Sequence, residues 1–148
     1  MSESGRPSRP TFDAVQVGDL LPGRDFALLR EDLVRYAGAS GDLNPIHWNA
    51  RVATEVGLPD VIAHGMLTMA TAARVVTDWC GDPGAVIEYG TRFTSTVPVP
   101  DDGVGARVTV SGTVASRDEQ ARTVRVDLVA TCRGERVLGK AQAVVRLP

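Results

Sequence analysis

Residues 65–80, Gly-Met-Leu-Thr-Met-Ala-Thr-Ala-Ala-Arg-Val-Val-Thr-Asp-Trp-Cys, constrain the chain more than any other stretch. Met66, Leu67, Met69, Ala70, Ala72, Ala73, Val75, Val76 and Trp79 occupy most of the circumference of a helix over this range. A helix apolar nearly all round must be covered nearly all round. Arg74 and Asp78, spaced i,i+4, mark its one narrow polar side. Gly81 suits the position just past the helix, and Asp82-Pro83-Gly84 prevents continuation. The rest of the chain therefore has to supply a cover.

The cover is written in the C-terminal half. Ala106, Val108, Val110 and Val114 alternate with Arg107, Thr109, Ser111 and Thr113. Val124, Val126, Leu128, Ala130 and Cys132 alternate with polar residues in the same way. So do Val137, Ala141, Ala143, Val145 and Leu147 with the residues between them. Ile87, Tyr89, Phe93 and Val97 share one parity in an earlier strand segment. Turns fall at Asp101-Asp102-Gly103, Asp118-Glu119-Gln120 and Gly134-Glu135. Period-two alternation of this kind belongs to antiparallel strands with one face on a core. The expected fold is α+β, a long buried helix wrapped by a curved antiparallel β-sheet.

Order is expected from near Phe12. Pro22-Gly23 reads as a turn and Phe26-Ala27-Leu28-Leu29 as a short strand. A helix is expected from about Arg30 to Ala39, ended by Gly38 and Gly41, with Glu31 and Asp32 favouring its first turn. A second, over Ala50–Val56, has Asn49 as N-cap and Gly57 beyond its end. Residues 1–10, polar and Pro-containing without an apolar run, read as a disordered leader rather than a signal peptide. Residues 11–148 of the 148 read as a single domain.

The net charge of −2 comes from mixed, unclustered charges, which excludes a nucleic-acid footprint or a basic membrane face. No apolar run is long enough to span a membrane. Cys80 and Cys132 lack metal-type spacing and read as buried thiols of a reduced, cytoplasmic protein, with one disulfide left open. No Gly-rich phosphate loop follows a strand, so no nucleotide cofactor is expected.

Chemistry concentrates in Ser40-Gly41-Asp42-Leu43-Asn44-Pro45-Ile46-His47. The segment is too broken by Gly and Pro for a helix, so the chain turns, and a turn can aim Asp42 and His47 at one small volume. Asp, Asn and Gly are also ordinary turn residues, and a His beside Ile and Trp is often structural. His64, the second histidine, could with Asp42 and His47 suggest a metal site, but no ligand spacing matches one. Ser40, Asp42 and His47 lack the nucleophile elbow of a hydrolase triad.

Two motifs together, residues 36–47 (Tyr-Ala-Gly-Ala-Ser-Gly-Asp-Leu-Asn-Pro-Ile-His) and 62–67 (Ile-Ala-His-Gly-Met-Leu), resemble the signature of the MaoC-like (R)-specific hydratase/dehydratase family. The resemblance runs from about Phe12 to Leu147. Gly81–Val86, Glu88-Tyr89, Arg92-Phe93-Thr94 and Val97–Pro100 are most similar to the catalytic B subunit of mycobacterial-type (3R)-hydroxyacyl-ACP dehydratase. It implies a hot-dog fold and a hydro-lyase that dehydrates (3R)-hydroxyacyl thioesters, or hydrates 2-enoyl thioesters, in fatty-acid elongation. It also implies Asp42 and His47 as a catalytic dyad and the Gly65 backbone N–H as donor to the thioester carbonyl. Asn44 is the supporting residue it carries over, with Ser40 and His64 beside it. Relatives often carry an acidic residue after the His-aromatic pair; here Asn49 stands there, and it caps a helix equally well. The implied partners are an acyl-ACP or acyl-CoA substrate and a second hot-dog subunit, in a homodimer or heterodimer. A thioesterase on the same fold, separable by CoA release from a saturated acyl-CoA, and a non-catalytic partner subunit are the alternatives. The second predicts loss of the Asp or the His, and both are present.

Overall fold

The computed structural model describes residues 9–148. The chain forms β1 (Leu20–Leu28), α1 (Arg30–Ser40), α2 (Ala50–Glu55), α3 (Gly65–Cys80), β2 (Val86–Phe93), β3 (Ala106–Asp118), β4 (Thr123–Cys132), β5 (Glu135–Arg136) and β6 (Leu138–Arg146). Short 3-10 turns lie at Phe12–Ala14, Pro45–His47 and Pro83–Ala85. The strands make one antiparallel sheet in the order β1-β3-β4-β6-β2, with β5 pairing only to β4. Helix α3 lies against all five long strands, the expected α+β hot-dog arrangement. The leader expectation falls largely on residues 1–8, outside those described; Arg9 reaches Asp82 at 3.8 Å.

The core is the alternation made solid. Val108, Val110, Val114, Val124, Val126 and Val145 are at most 1% exposed, and most of their neighbours along each strand are more exposed. Helix bounds agree with expectation within a residue. Gly81 closes α3 in the left-handed region at φ +66°, where a Cβ would be strained. Asn49 caps α2 by accepting the Val52 N–H at 3.2 Å. Gly38 does not end α1 but lies inside it, and Gly41 alone stops it. Cys80 and Cys132 are free buried thiols. Among the described residues no helix is long and apolar enough to cross a membrane.

Four further expectations are corrected. Pro22-Gly23 is not a turn between elements: β1 already begins at Leu20, and the pair sits in a bulge where register shifts between Leu21 and Arg24. An edge strand tolerates this, because the missing Pro N–H takes nothing from the ladder. Helix α3 is not covered all round. Met66, Ala70, Arg74 and Asp78 form an exposed stripe at i,i+4 spacing, so Met66 is not core, while Thr68 and Thr71 are buried on the sheet side. Thr71 meets its hydroxyl need inside the helix, donating to the Leu67 carbonyl at 2.8 Å. In β2, bulges after Val86 and Gly90 break the parity. Val86 and Tyr89 face the core, and Ile87 and Phe93 are half exposed. The last turn falls on Arg133-Gly134, with Glu135 already in β5.

Candidate active site

The loop after α1 is built by its own side chains. Gly41 leaves the helix at φ +76°. The Ser40 hydroxyl then accepts the Asp42 N–H at 3.2 Å, and the Asp42 carboxylate accepts the Asn44 N–H at 3.2 Å. The Asn44 side chain accepts the Ile46 N–H at 3.3 Å. Each bond spans two residues, so three short polar side chains take up main-chain donors that no helix or sheet serves. Pro45 opens the 3-10 turn that ends at His47. The Asp42 side chain is half exposed, whereas the His47 ring is buried.

Asp42 Oδ2 and His47 Nε2 stand 3.8 Å apart, beyond a direct hydrogen bond but right for one bridging molecule. His47 Nδ1 lies 2.7 Å from the Ile62 carbonyl. A carbonyl only accepts, so Nδ1 carries the hydrogen, and in the neutral ring Nε2 is a bare acceptor turned toward Asp42. The chain between α2 and α3 is fixed in turn. Ile62 donates its N–H to the Ile46 carbonyl at 3.2 Å and bridges to Pro98, and Ala63 N–H donates to the Val97 carbonyl at 2.9 Å.

His64 is 2% exposed and places its Nε2 3.1 Å from the Asp42 carbonyl. Its ring stacks on His47, with centres 3.7 Å apart and planes 24° apart, and meets Tyr36 at 4.7 Å. Burial holds the His64 pKa below its ordinary value, only partly offset by the bond to the Asp42 carbonyl. Nitrogen atoms of both histidines and the Asp42 carboxylate lie within 4.8 Å of one another. An imidazole holds a metal in its own plane at about 2.0–2.1 Å. Two stacked, nearly parallel rings do not both aim at one ion in this arrangement.

A cavity of about 340 Å³ opens in front of His47. Its walls are Ile62 and Ala63, Gly65 and Thr68 of α3, Phe93 of β2, residues 94–97 and Val137. Gly65 is the first residue of α3, where main-chain N–H groups have no partner within the helix. Its lack of a side chain has a packing reason. A Cβ there would stand 3.1 Å from the Phe93 ring. A larger groove of about 590 Å³ between β1, α1 and α3 is lined by none of the expected site residues.

All six residues singled out in the sequence thus fall in one region. Asp42, His47 and Gly65 meet at or beside the cavity, and Ser40, Asn44 and His64 hold the segments that carry them. Sequence reasoning did not place the Ile62 carbonyl, Thr68, Phe93 or Tyr36 there. Main-chain groups leave no trace in residue type, and Phe93 comes from a strand remote in the chain.

The family described as "MaoC like domain" matches residues 13–131. The chain belongs to the MaoC-like domain family. The (R)-specific enoyl-CoA hydratase of Rhodospirillum rubrum is 30% identical over 135 residues, 88% of this chain and 90% of that protein. The 3-hydroxyacyl-thioester dehydratase X of Mycobacterium tuberculosis is 41% identical over 66 residues, 45% of this chain but 22% of that protein. A solved MaoC-like dehydratase superposes with a TM-score of 0.91 at 45% identity, over 97% of this chain and 44% of the other. The matches of this MaoC-like chain cover 22%, 2% and 54% of three relatives, the first two of which are far longer than it.

Proposed function

We propose that this MaoC-like domain is a hydro-lyase interconverting (3R)-3-hydroxyacyl and 2-enoyl thioesters, carried on CoA or an acyl carrier protein, in fatty-acid elongation. The observation that carries the proposal is the Asp42 carboxylate and the bare His47 Nε2, 3.8 Å apart, beside a cavity that begins at the first residue of α3.

In the hydration direction, two acceptors at that spacing suit a water donating one hydrogen to each. As the water oxygen bonds Cβ, the pair takes one proton from it and returns one to Cα, so that H2O adds across the double bond. Dehydration is the same path reversed. Electron density moves to the thioester oxygen during either, and the Gly65 N–H with the α3 dipole stabilises it there. Positioned acid–base groups contribute about 10²–10⁴ in rate each, and a single oxyanion donor about 10²–10³.

Residues 11–148 act in this reading as one cytoplasmic domain. Pairing with a second hot-dog domain, in the same or another chain, is drawn along β2. That strand ends the sheet and exposes Ile87 and Phe93, the latter a cavity wall. A structural relative more than twice this length has room for two such domains.

The test is to give the purified protein crotonyl-CoA and butyryl-CoA side by side. The proposal expects loss of the enoyl absorbance with formation of (3R)-hydroxybutyryl-CoA, and no thiol release from butyryl-CoA. Thiol release without hydration would make it a thioesterase.

A further inference from the structure

We infer that His64 is a positioning residue of the site: through its Nε2–H tautomer it ties down the Asp42 carbonyl while its ring face fixes the plane of His47. The inference rests on the hydro-lyase reading for its kinetic consequences but not for its structural ones.

The tautomer follows from geometry. The Asp42 carbonyl, 3.1 Å away, can only accept, so His64 Nε2 must donate. Nδ1 is then the bare nitrogen, and it is buried without a hydrogen-bond partner among the described residues. A proton there would put an N–H and a charge where nothing accepts them. The titratable groups facing the ring are Tyr36 on α1 and Asp42 and His47 on the loop. Burial, seconded by a charge on His47, keeps the ring neutral and outweighs the opposing pull of the Asp42 carbonyl and carboxylate.

This division of labour has a consequence for catalysis. His47 must carry a charge transiently when it takes a proton. A neutral ring 3.7 Å from it accommodates that charge, whereas a second imidazolium would oppose it. Asp42 has no buried anchor of its own, since its side chain is half exposed. His64 supplies a hydrogen bond that ties the Asp42 main chain to the start of α3, where Gly65 sits.

The chain has only two histidines, so nitrogen NMR of the untagged, ring-labelled protein reads both directly. His64 is expected as a neutral Nε2–H imidazole at neutral pH. His64→Gln keeps a donor for the Asp42 carbonyl, and His64→Phe keeps a ring for the stack. Each is expected to lower kcat at least about tenfold with KM within about twofold, since small misplacements of a reacting group are costly. His64→Ala, lacking both, is expected to lose more than either. An Nδ1–H or protonated His64 at neutral pH overturns the inference, as does a folded His64→Ala protein with unchanged kcat. If the wild-type protein hydrates no enoyl thioester, the function fails while the NMR result still decides the role of His64.

Discussion

The imidazoles of His47 and His64 lie face to face, 3.7 Å between centres, yet each gives its one N–H to a different main-chain carbonyl. His47 uses Nδ1 on Ile62, and His64 uses Nε2 on Asp42. The two rings therefore present different bare nitrogens: one toward a carboxylate beside the cavity, the other into the protein. Chemically identical side chains take opposite roles because of the carbonyl each can reach.

That asymmetry links stability to pH. The buried His64 has a folded pKa below its ordinary value, which is near 6.5. Below that value the unfolded chain binds a proton that the folded chain refuses, so stability rises with pH. The contribution is fully present above about pH 6.5 and is lost as pH falls toward the folded pKa. Thermal unfolding at about pH 7.5 and 5.5 measures it. The wild-type Tm is expected to drop more between the two than that of His64→Gln, and equal drops would contradict this.

Gly65 and Phe93 form a second sensitive contact. Alanine at 65 is compatible with the helical backbone, so Gly65→Ala is expected to change stability by less than about 1 kcal/mol. Its methyl would stand 3.1 Å from the Phe93 ring, so that cavity wall has to shift. KM for an enoyl thioester is expected to rise at least about fivefold, equivalent to about 1 kcal/mol of lost binding. Adding Phe93→Ala is expected to restore part of it. Steady-state kinetics on the three variants decide the matter.

Arg30 is the girder behind the site. From the first turn of α1 its guanidinium reaches the Asp60 carboxylate at 2.6 Å and the Val99 carbonyl. Asp60 precedes the segment whose Ile62 carbonyl orients His47, and both partners are about three-quarters buried. Arg30→Met is expected to cost about 1–3 kcal/mol, because a part-buried carboxylate and carbonyl lose a charged donor. Urea unfolding gives the stability. A matched fall in kcat is expected from the loosened His47, and an unchanged kcat would separate the girder from the chemistry.

Much of this was legible in the residues. Helix α3 could be bounded from Gly65 to Cys80 because a Gly stop and an apolar face agree with each other. The Val-rich alternation of β3 and β4 had one face to bury and no competing pattern. The short span from Asp42 to His47 forced the two side chains near each other. Strand β2 was misread because bulges add a residue and swap faces without any mark in residue type. The Met66 stripe was misread because an apolar residue looks the same whether its own chain or nothing described covers it. The division of labour between the histidines depends on two carbonyls, and no side-chain pattern announces those.

The central claim is that Asp42 and His47 act as one acid–base unit on one molecule between them. The most direct measurement is kcat for crotonyl-CoA hydration by Asp42→Ala, His47→Ala and the double variant, each confirmed folded. The account expects each single change to lower kcat about 10²–10⁴-fold, and the double variant to be no worse than the poorer single one. A folded His47→Ala protein retaining wild-type kcat would contradict it, as would losses that simply multiply in the double variant.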